Sequence, residues 1–352
     1  MPEPRARASG QNGSLSRAID DVEKRQLAED LEIPHEPDGR GGARHRFRPG
    51  RRLGDHRHRV VAPQDRVPRP VRSQVARRLA APFLGLLFVA TLLAGGCAYW
   101  TEKQGELIFR PTKDAWWGFN GAAIAFEERW IPVGAEGQKL NAWWLKSGNP
   151  KAPSILYLHG ARWNLTGSVS RLERWRKLGF NVLAIDYRGF GKSADAAPSE
   201  ESANEDADAA WAYLAEIAPQ QPRYIVGHSL GGVIAVELAR RRPDASGLVL
   251  EATFTSVRDM VAHSPWSFLP VGLVLTQEFD ALAKIADVRL PVLVVHGTRD
   301  AVVPFEMGER LYAAAPGPKR FIRVEGGSHH NLSYVAFDEY RAALAQLFKI
   351  GS

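Results

Sequence analysis

From residue 126 onward, short apolar runs alternate with longer stretches in which apolar residues recur every three or four positions. The runs at 154–159, 181–186, 223–228, 247–251, 292–296 and 320–324 predict strands. The periodic stretches predict helices over about 168–178, 201–217, 229–241, 305–315 and 333–348. Strands alternating with helices imply an α/β fold with a doubly wound, mostly parallel sheet. Ahead of them, Phe126 to Val133 and Leu140 to Lys146 predict an antiparallel hairpin, with Trp130, Trp143 and Trp144 as strand formers.

One interval breaks the alternation. Residues 253–290 contain no clear strand but include Met260, Trp266, Phe268, Leu269, Val271, Leu273, Val274, Leu275 and Phe279. An insertion here falls over the ends of the neighbouring strands and predicts a short helical lid, whose apolar content suits an acyl group. The alternative is that these side chains bury only the helices of the insertion.

The first hundred residues follow a different pattern. Leu79 to Trp100 carries no charge, is long enough to cross a bilayer, and has Arg72, Arg77 and Arg78 on its N-terminal side. This predicts a membrane anchor with the following domain, 101–352, on the extracytoplasmic face, a bacterial source being assumed. Leu93-Ala-Gly-Gly-Cys97 also fits a relaxed lipobox, so a cleaved lipoprotein signal acylated at Cys97 stands beside an uncleaved span. Cys97 is the only cysteine, which excludes an intramolecular disulfide.

Charge sharpens the division. The formal net charge of +7 is carried by residues 1–80, where 18 Lys and Arg meet 11 Asp and Glu, and the remainder is balanced. Residues 1–78 predict a basic, disordered tail, and Val67, Val71 and Val75 are alternative start positions that would remove most of it. A neutral catalytic region gives no reason to expect nucleic acid as a partner. His45, His56 and His58 of the tail lack ligands at metal spacing. Gly189-Phe-Gly-Lys192-Ser193 lacks the first glycine of a phosphate loop, whose position holds Asp186. No metal or organic cofactor is implied.

The chemistry concentrates at Tyr224-Ile-Val-Gly227-His228-Ser229-Leu230-Gly231-Gly232, an apolar strand running through Gly-x-Ser-x-Gly into an apolar helix. Gly227 and Gly231 allow the strand and helix to approach around a strained serine, lifting its hydroxyl clear of the sheet. Asp300 and His329 each lie just past a later strand run, giving the order Ser, Asp, His. The N–H of Leu230 is one oxyanion donor, and Ala161, after the strand ending in His159-Gly160, supplies the other. His329, at Gly-x-x-His spacing from Gly326, is taken as the base, and the adjoining His330, at the same spacing from Gly327, is its alternative. Glu251 is the alternative acid. His228, His159 and His296 are expected to order the loops around the site.

These motifs, over about Leu107 to Lys349, resemble the α/β-hydrolase superfamily, and within it the small membrane-anchored Bem-type and serine aminopeptidase-like hydrolases. Asp186-Tyr-Arg188-Gly189-Phe-Gly191-Lys-Ser193 also matches the superfamily, where it shapes a loop. The resemblance implies a serine hydrolase that cleaves a carboxylic ester or thioester of a small or lipid-like acyl substrate through an acyl-enzyme. An exopeptidase on short peptides and a non-catalytic envelope protein on the same fold are the other readings.

Overall fold

The computed structural model describes residues 95–97, 99–134, 137–264, 267–268 and 274–350. The predicted tail, most of the predicted anchor and the middle of the predicted lid lie outside the described residues. Among those described, no helix is long and apolar enough to cross a membrane.

Eight strands form one sheet: β1 (Glu127–Pro132), β2 (Lys139–Leu145), β3 (Ser154–Leu158), β4 (Asn181–Ile185), β5 (Arg223–His228), β6 (Gly247–Glu251), β7 (Val292–Gly297) and β8 (Lys319–Val324). Their order is β1-β2-β4-β3-β5-β6-β7-β8. β1, β2 and β4 pair antiparallel, and every other pairing is parallel. β3, β4, β6 and β7 are buried along their whole length, and β5 at every position but Arg223, because helices cover both faces.

The two faces are read directly from alternate residues. Leu156, Leu158, Leu183, Ile225, Leu248 and Val294 pack into one core layer, and Ile155, Tyr157, Val182, Val226, Val249 and Leu293 into the other. In the hairpin, Trp143 stacks on Phe126 with ring centroids 3.9 Å apart.

The helices are α1 (residues 99–109), α2 (Val169–Lys177), α3 (Glu200–Ile217), α4 (Leu230–Arg241), α5 (Val257–Ala262), α6 (Ala281–Ile285), α7 (Phe305–Ala314), α8 (Leu332–Val335) and α9 (Phe337–Phe348). α3 starts where Ser199 and Ser202 form a reciprocal cap. The final predicted helix, 333–348, is two helices separated at Ala336, whose ψ of 33° interrupts the helical backbone. The predicted lid interval contains α5 and α6, with Phe279 buried between them and the core.

α1 is an addition to the predicted pattern. Its Gln104 and Phe109 are buried, and Gly105 is packed so closely on the carbonyl of Pro198 that no side chain fits there. Phe109 meets Tyr187, Phe190 and Phe279 edge-on. Gln104 accepts a hydrogen bond from the N–H of Thr276 (2.9 Å) and donates one to the carbonyl of Val274 (2.8 Å). Gln277 donates to the carbonyl of Thr101 (2.7 Å) and accepts from the N–H of Glu200 (2.8 Å). α1 thus clamps the C-terminal limb of the lid interval to the start of α3.

Candidate active site

β5 delivers Ser229 at the C-terminal edge of the parallel strands, the edge at which open α/β sheets place their reactive groups. The turn is steric in origin. A Cβ on Gly227 would collide with the carbonyl of Gly231, and one on Gly231 with the carbonyl of Leu158. Without those side chains α4 starts directly against β3 and β5, and Ser229 is held at φ 55° and ψ −120°. Such backbone strain costs about 1–3 kcal/mol and persists because the surroundings enforce it. Here the N–H of Ser229 donates to the carbonyl of Glu251 (2.9 Å) and that of Gly232 to the carbonyl of Ser229 (2.9 Å).

β7 and the loop after β8 bring an acid and a base together. Nδ1 of His329 donates to Oδ2 of Asp300 at 2.8 Å, which leaves Nε2 as the ring nitrogen available to a hydroxyl. The other carboxylate oxygen, Oδ1, accepts from the N–H groups of Val302 (2.9 Å) and Val303 (2.8 Å). His296 Nε2 donates to the carbonyl of Val303 (3.1 Å) and lies 3.4 Å from Asp300 Oδ2. Burial alone would raise the Asp300 carboxyl, but the His329 charge, the His296 and His329 donors and the Val303 amide outweigh it and hold it below the ordinary carboxylate range. The acid is therefore ionised whenever His329 takes up a proton.

The structure separates the two adjacent histidines. His330 turns away from Asp300, and its Nδ1 accepts from the Arg171 guanidinium at 3.0 Å. Burial, then the charges of His329 and Arg171, keep its imidazole neutral. Glu251 is also placed elsewhere: buried at the end of β6, it accepts from the Tyr340 hydroxyl (2.7 Å), and burial raises its carboxyl. His228 donates from Nε2 to the carbonyl of His329 (2.9 Å), tying the elbow to the base loop. Arg171 carried no signal in the sequence, because its partner is 159 residues away.

His228, His329 and His330 bring three ring nitrogens within 4.8 Å of one another. The set does not fit a cation. His329 is committed to Asp300, His228 to a carbonyl and His330 to a guanidinium whose charge faces the cluster.

The two amides expected to receive an oxyanion, the backbone N–H groups of Leu230 and Ala161, are free of internal partners among the described residues. The loop carrying Ala161 is fixed from several directions. The Arg162 N–H donates to the carbonyl of Phe109, at the end of α1 (2.7 Å), and Thr112 donates to the carbonyl of Arg162 (2.7 Å). His159 donates from Nδ1 to the carbonyl of Gly160 (2.7 Å), and Gly160 lies against Ser229 and His228. Behind it, Tyr187 donates to the carbonyl of His159 (3.3 Å). The Tyr187 loop is held by Arg188, whose Nε pairs with buried Asp206 at 2.6 Å.

The match of this architecture and its chain order to known proteins is direct. A Mycobacterium tuberculosis protein named only as uncharacterized, Rv2307c, is 36% identical over 254 residues, covering 69% of this chain and 86% of its own. The chain belongs to the α/β-hydrolase superfamily. Residues 149–277 match the family described as serine aminopeptidase, S33. Lysophosphatidylserine lipase ABHD12 of Danio rerio is 32% identical over 231 residues, covering 59% of this hydrolase and 58% of the relative. Among solved structures, the Pyrococcus furiosus esterase Pf2001 superposes with a TM-score of 0.56 at 19% identity, covering 68% of this chain and 96% of its own. Together these place the chain among the hydrolases of this superfamily, the superposition supporting the fold.

Beneath the oxyanion loop of this hydrolase, His159 Nε2 lies 3.5 Å from Asp186 Oδ1, with both side chains buried. Burial raises Asp186 to about 7, against the Leu165 amide and the charges of Lys113 and Lys192, and lowers His159 to about 4. An unfolded aspartate releases its proton near 3.8, so this carboxyl's contribution to stability is full below that pH and is lost as pH rises through about 7. His159 acts oppositely, costing stability as pH falls from 6.5 toward 4. Asp186→Asn should remove only the first dependence. The difference in melting temperature, variant minus parent, should grow from pH 4 to pH 7.5; a constant difference would show that Asp186 is ionised in the fold.

Proposed function

We propose that this hydrolase is a membrane-tethered serine esterase that cleaves the carboxylic ester of a monoacyl, lipid-like substrate. The observation carrying the proposal is the hydrogen-bonded His329–Asp300 couple, whose loop is tied through His228 to the elbow that carries the strained, half-buried Ser229. In this reading His329 Nε2 takes the Ser229 proton as Oγ attacks the ester carbon. The developing oxyanion is received by the N–H groups of Ala161 and Leu230. The same imidazole then returns the proton to the leaving alcohol, and water repeats the cycle on the acyl-enzyme.

The similarity to a lysophosphatidylserine lipase favours an ester over a peptide. The tether is residues 79–100, either as an uncleaved span or as a lipoprotein signal ending at Cys97, with the domain on the extracytoplasmic side. The exposure of Cys97 is compatible with both. The test is a fluorophosphonate probe followed by peptide mapping, alongside hydrolysis of p-nitrophenyl esters from acetate to palmitate. One adduct on Ser229 and an optimum at medium or long chain are expected. Labelling without turnover of any ester would favour a peptide substrate, and neither would leave a non-catalytic protein. Cys97→Ser separates the tethers: loss of fatty-acid labelling and of membrane retention marks the lipoprotein.

A further inference from the structure

The outward side of α1 carries large, exposed apolar side chains. Tyr99 is 62% exposed, Trp100 44% and Leu107 71%, while the opposite side of the same helix is buried through Gln104, Gly105 and Phe109. Tyr99, Lys103 and Leu107 are spaced by four residues and stand in one row, with Trp100 on the flank of that row. Glu102 occupies the other edge of the exposed face, and Glu106, seven residues from Tyr99 and so beside the row, is ion-paired with Lys103 at 2.5 Å. Trp100 donates from its indole nitrogen to the carbonyl of Val274 (2.8 Å), and Val274 is itself 51% exposed. The strip thereby continues from α1 onto the limb of the lid interval.

We propose that this strip is a bilayer-contact surface, through which the catalytic domain lies on the lipid interface. The inference builds on the ester-hydrolase and tether readings above and adds the face of the domain that meets lipid. Its composition is interfacial: a phenol and an indole with polar tips, exposed aliphatic side chains, and a lysine, 5.7 Å from the Tyr99 ring, whose charge is balanced by Glu106. Its position supports the same occupant. The uncharged run that begins at Leu79 leads straight into Tyr99 and Trp100, so a chain leaving a bilayer reaches the strip within one helical turn. Neither feature alone selects lipid over a protein partner. An uncharged lead aligned with an aromatic strip does, because a protein interface requires no such lead.

The placement has a consequence for access. The limb bonded to α1 through Trp100, Gln104 and Gln277 belongs to the interval that follows β6, and the last carbonyl of α1 holds the Arg162 amide beside Ala161. Seating α1 on lipid therefore sets the lid limb at the interface, where a monoacyl ester enters from the membrane without crossing water.

The experiment uses the full chain reconstituted in phosphatidylcholine vesicles with brominated acyl chains. Tryptophan emission should be quenched in the parent, and Trp100→Phe should abolish a distinct share of that quenching. Tyr99→Glu/Leu107→Glu should lower hydrolysis of a long-chain monoacyl ester presented in vesicles by about ten-fold. Turnover of p-nitrophenyl acetate should stay unchanged. Quenching that is the same with and without Trp100, or an equal change on both substrates, overturns the surface. Self-association that is lost in the double variant, without Trp100 quenching, would assign the strip to a second copy instead. Failure of the other readings is seen separately: p-nitrophenyl acetate turnover surviving Ser229→Ala refutes the serine mechanism, and release by alkaline carbonate with Trp100 quenching retained refutes the tether alone.

Discussion

Ser229→Ala should lower turnover of p-nitrophenyl butyrate by about a hundred-thousand-fold and abolish fluorophosphonate labelling, with the melting curve unchanged. The size follows from losing the covalent route altogether. What remains is the oxyanion pair, the bound water and the ground-state fit, which together retain only a small residual acceleration. The fold should tolerate the change because the strain at φ 55° is imposed by backbone hydrogen bonds to Glu251 and from Gly232, which alanine keeps. The two glycine contacts that shape the turn are also untouched. A circular-dichroism melt beside the kinetic assay separates lost chemistry from lost structure. Residual activity above about one percent of the parent, with labelling retained, would place the nucleophile on another hydroxyl.

The features legible in the sequence are those whose cause is local. Five of the six parallel-sheet runs were readable because strands covered on both faces are short and almost continuously apolar; the sixth, the edge strand β8, is partly exposed and keeps only a short apolar signal, and the helices show because one stripe faces the sheet. The elbow was readable because its glycines are demanded by contacts within a few residues and by the neighbouring strand. The break at Ala336 was not, since neither glycine nor proline marks it. The preference for His329 over His330 rests in the sequence on a glycine spacing that both share; what separates them is what faces each, Asp300 for His329 and Arg171 for His330. α1 escaped for a similar reason. Its buried face is defined by Val274, Thr276 and Gln277, about 170 residues later, and its exposed face merges with the uncharged run before it.

That distinction bears on how the acid was chosen. Glu251 and Asp300 both follow buried strands, and a carboxylate after either strand suits the chain order. Their surroundings are opposite. Glu251 has a phenol as its hydrogen-bond partner, and burial drives it toward the neutral form. Asp300 has two backbone amides and two imidazoles, and is driven toward the charged form. Only a carboxylate that stays ionised can stabilise an imidazolium, so the surroundings favour Asp300 over Glu251 for the role proposed above.

Asp300→Asn should then reduce kcat for the same ester by about ten-thousand-fold while changing KM little. The amide oxygen of the variant can keep the bonds from Val302 and Val303, so the loop after β7 should hold its shape. That arrangement puts the amide nitrogen where Oδ2 now accepts from His329. A donor there faces Nδ1–H and forces the imidazole into the other tautomer, with the proton on Nε2 and no lone pair toward Ser229. The variant also lacks the charge that steadies the protonated ring. Activity should be recovered in part at alkaline pH, where hydroxide can substitute for the disabled base, and a pH–rate profile that rises with hydroxide concentration in the variant but levels off in the parent is the distinguishing result. A loss shared equally between kcat and thermal stability, with no change in the profile, would make Asp300 a structural residue of the β7 loop and return the acid's role to Glu251.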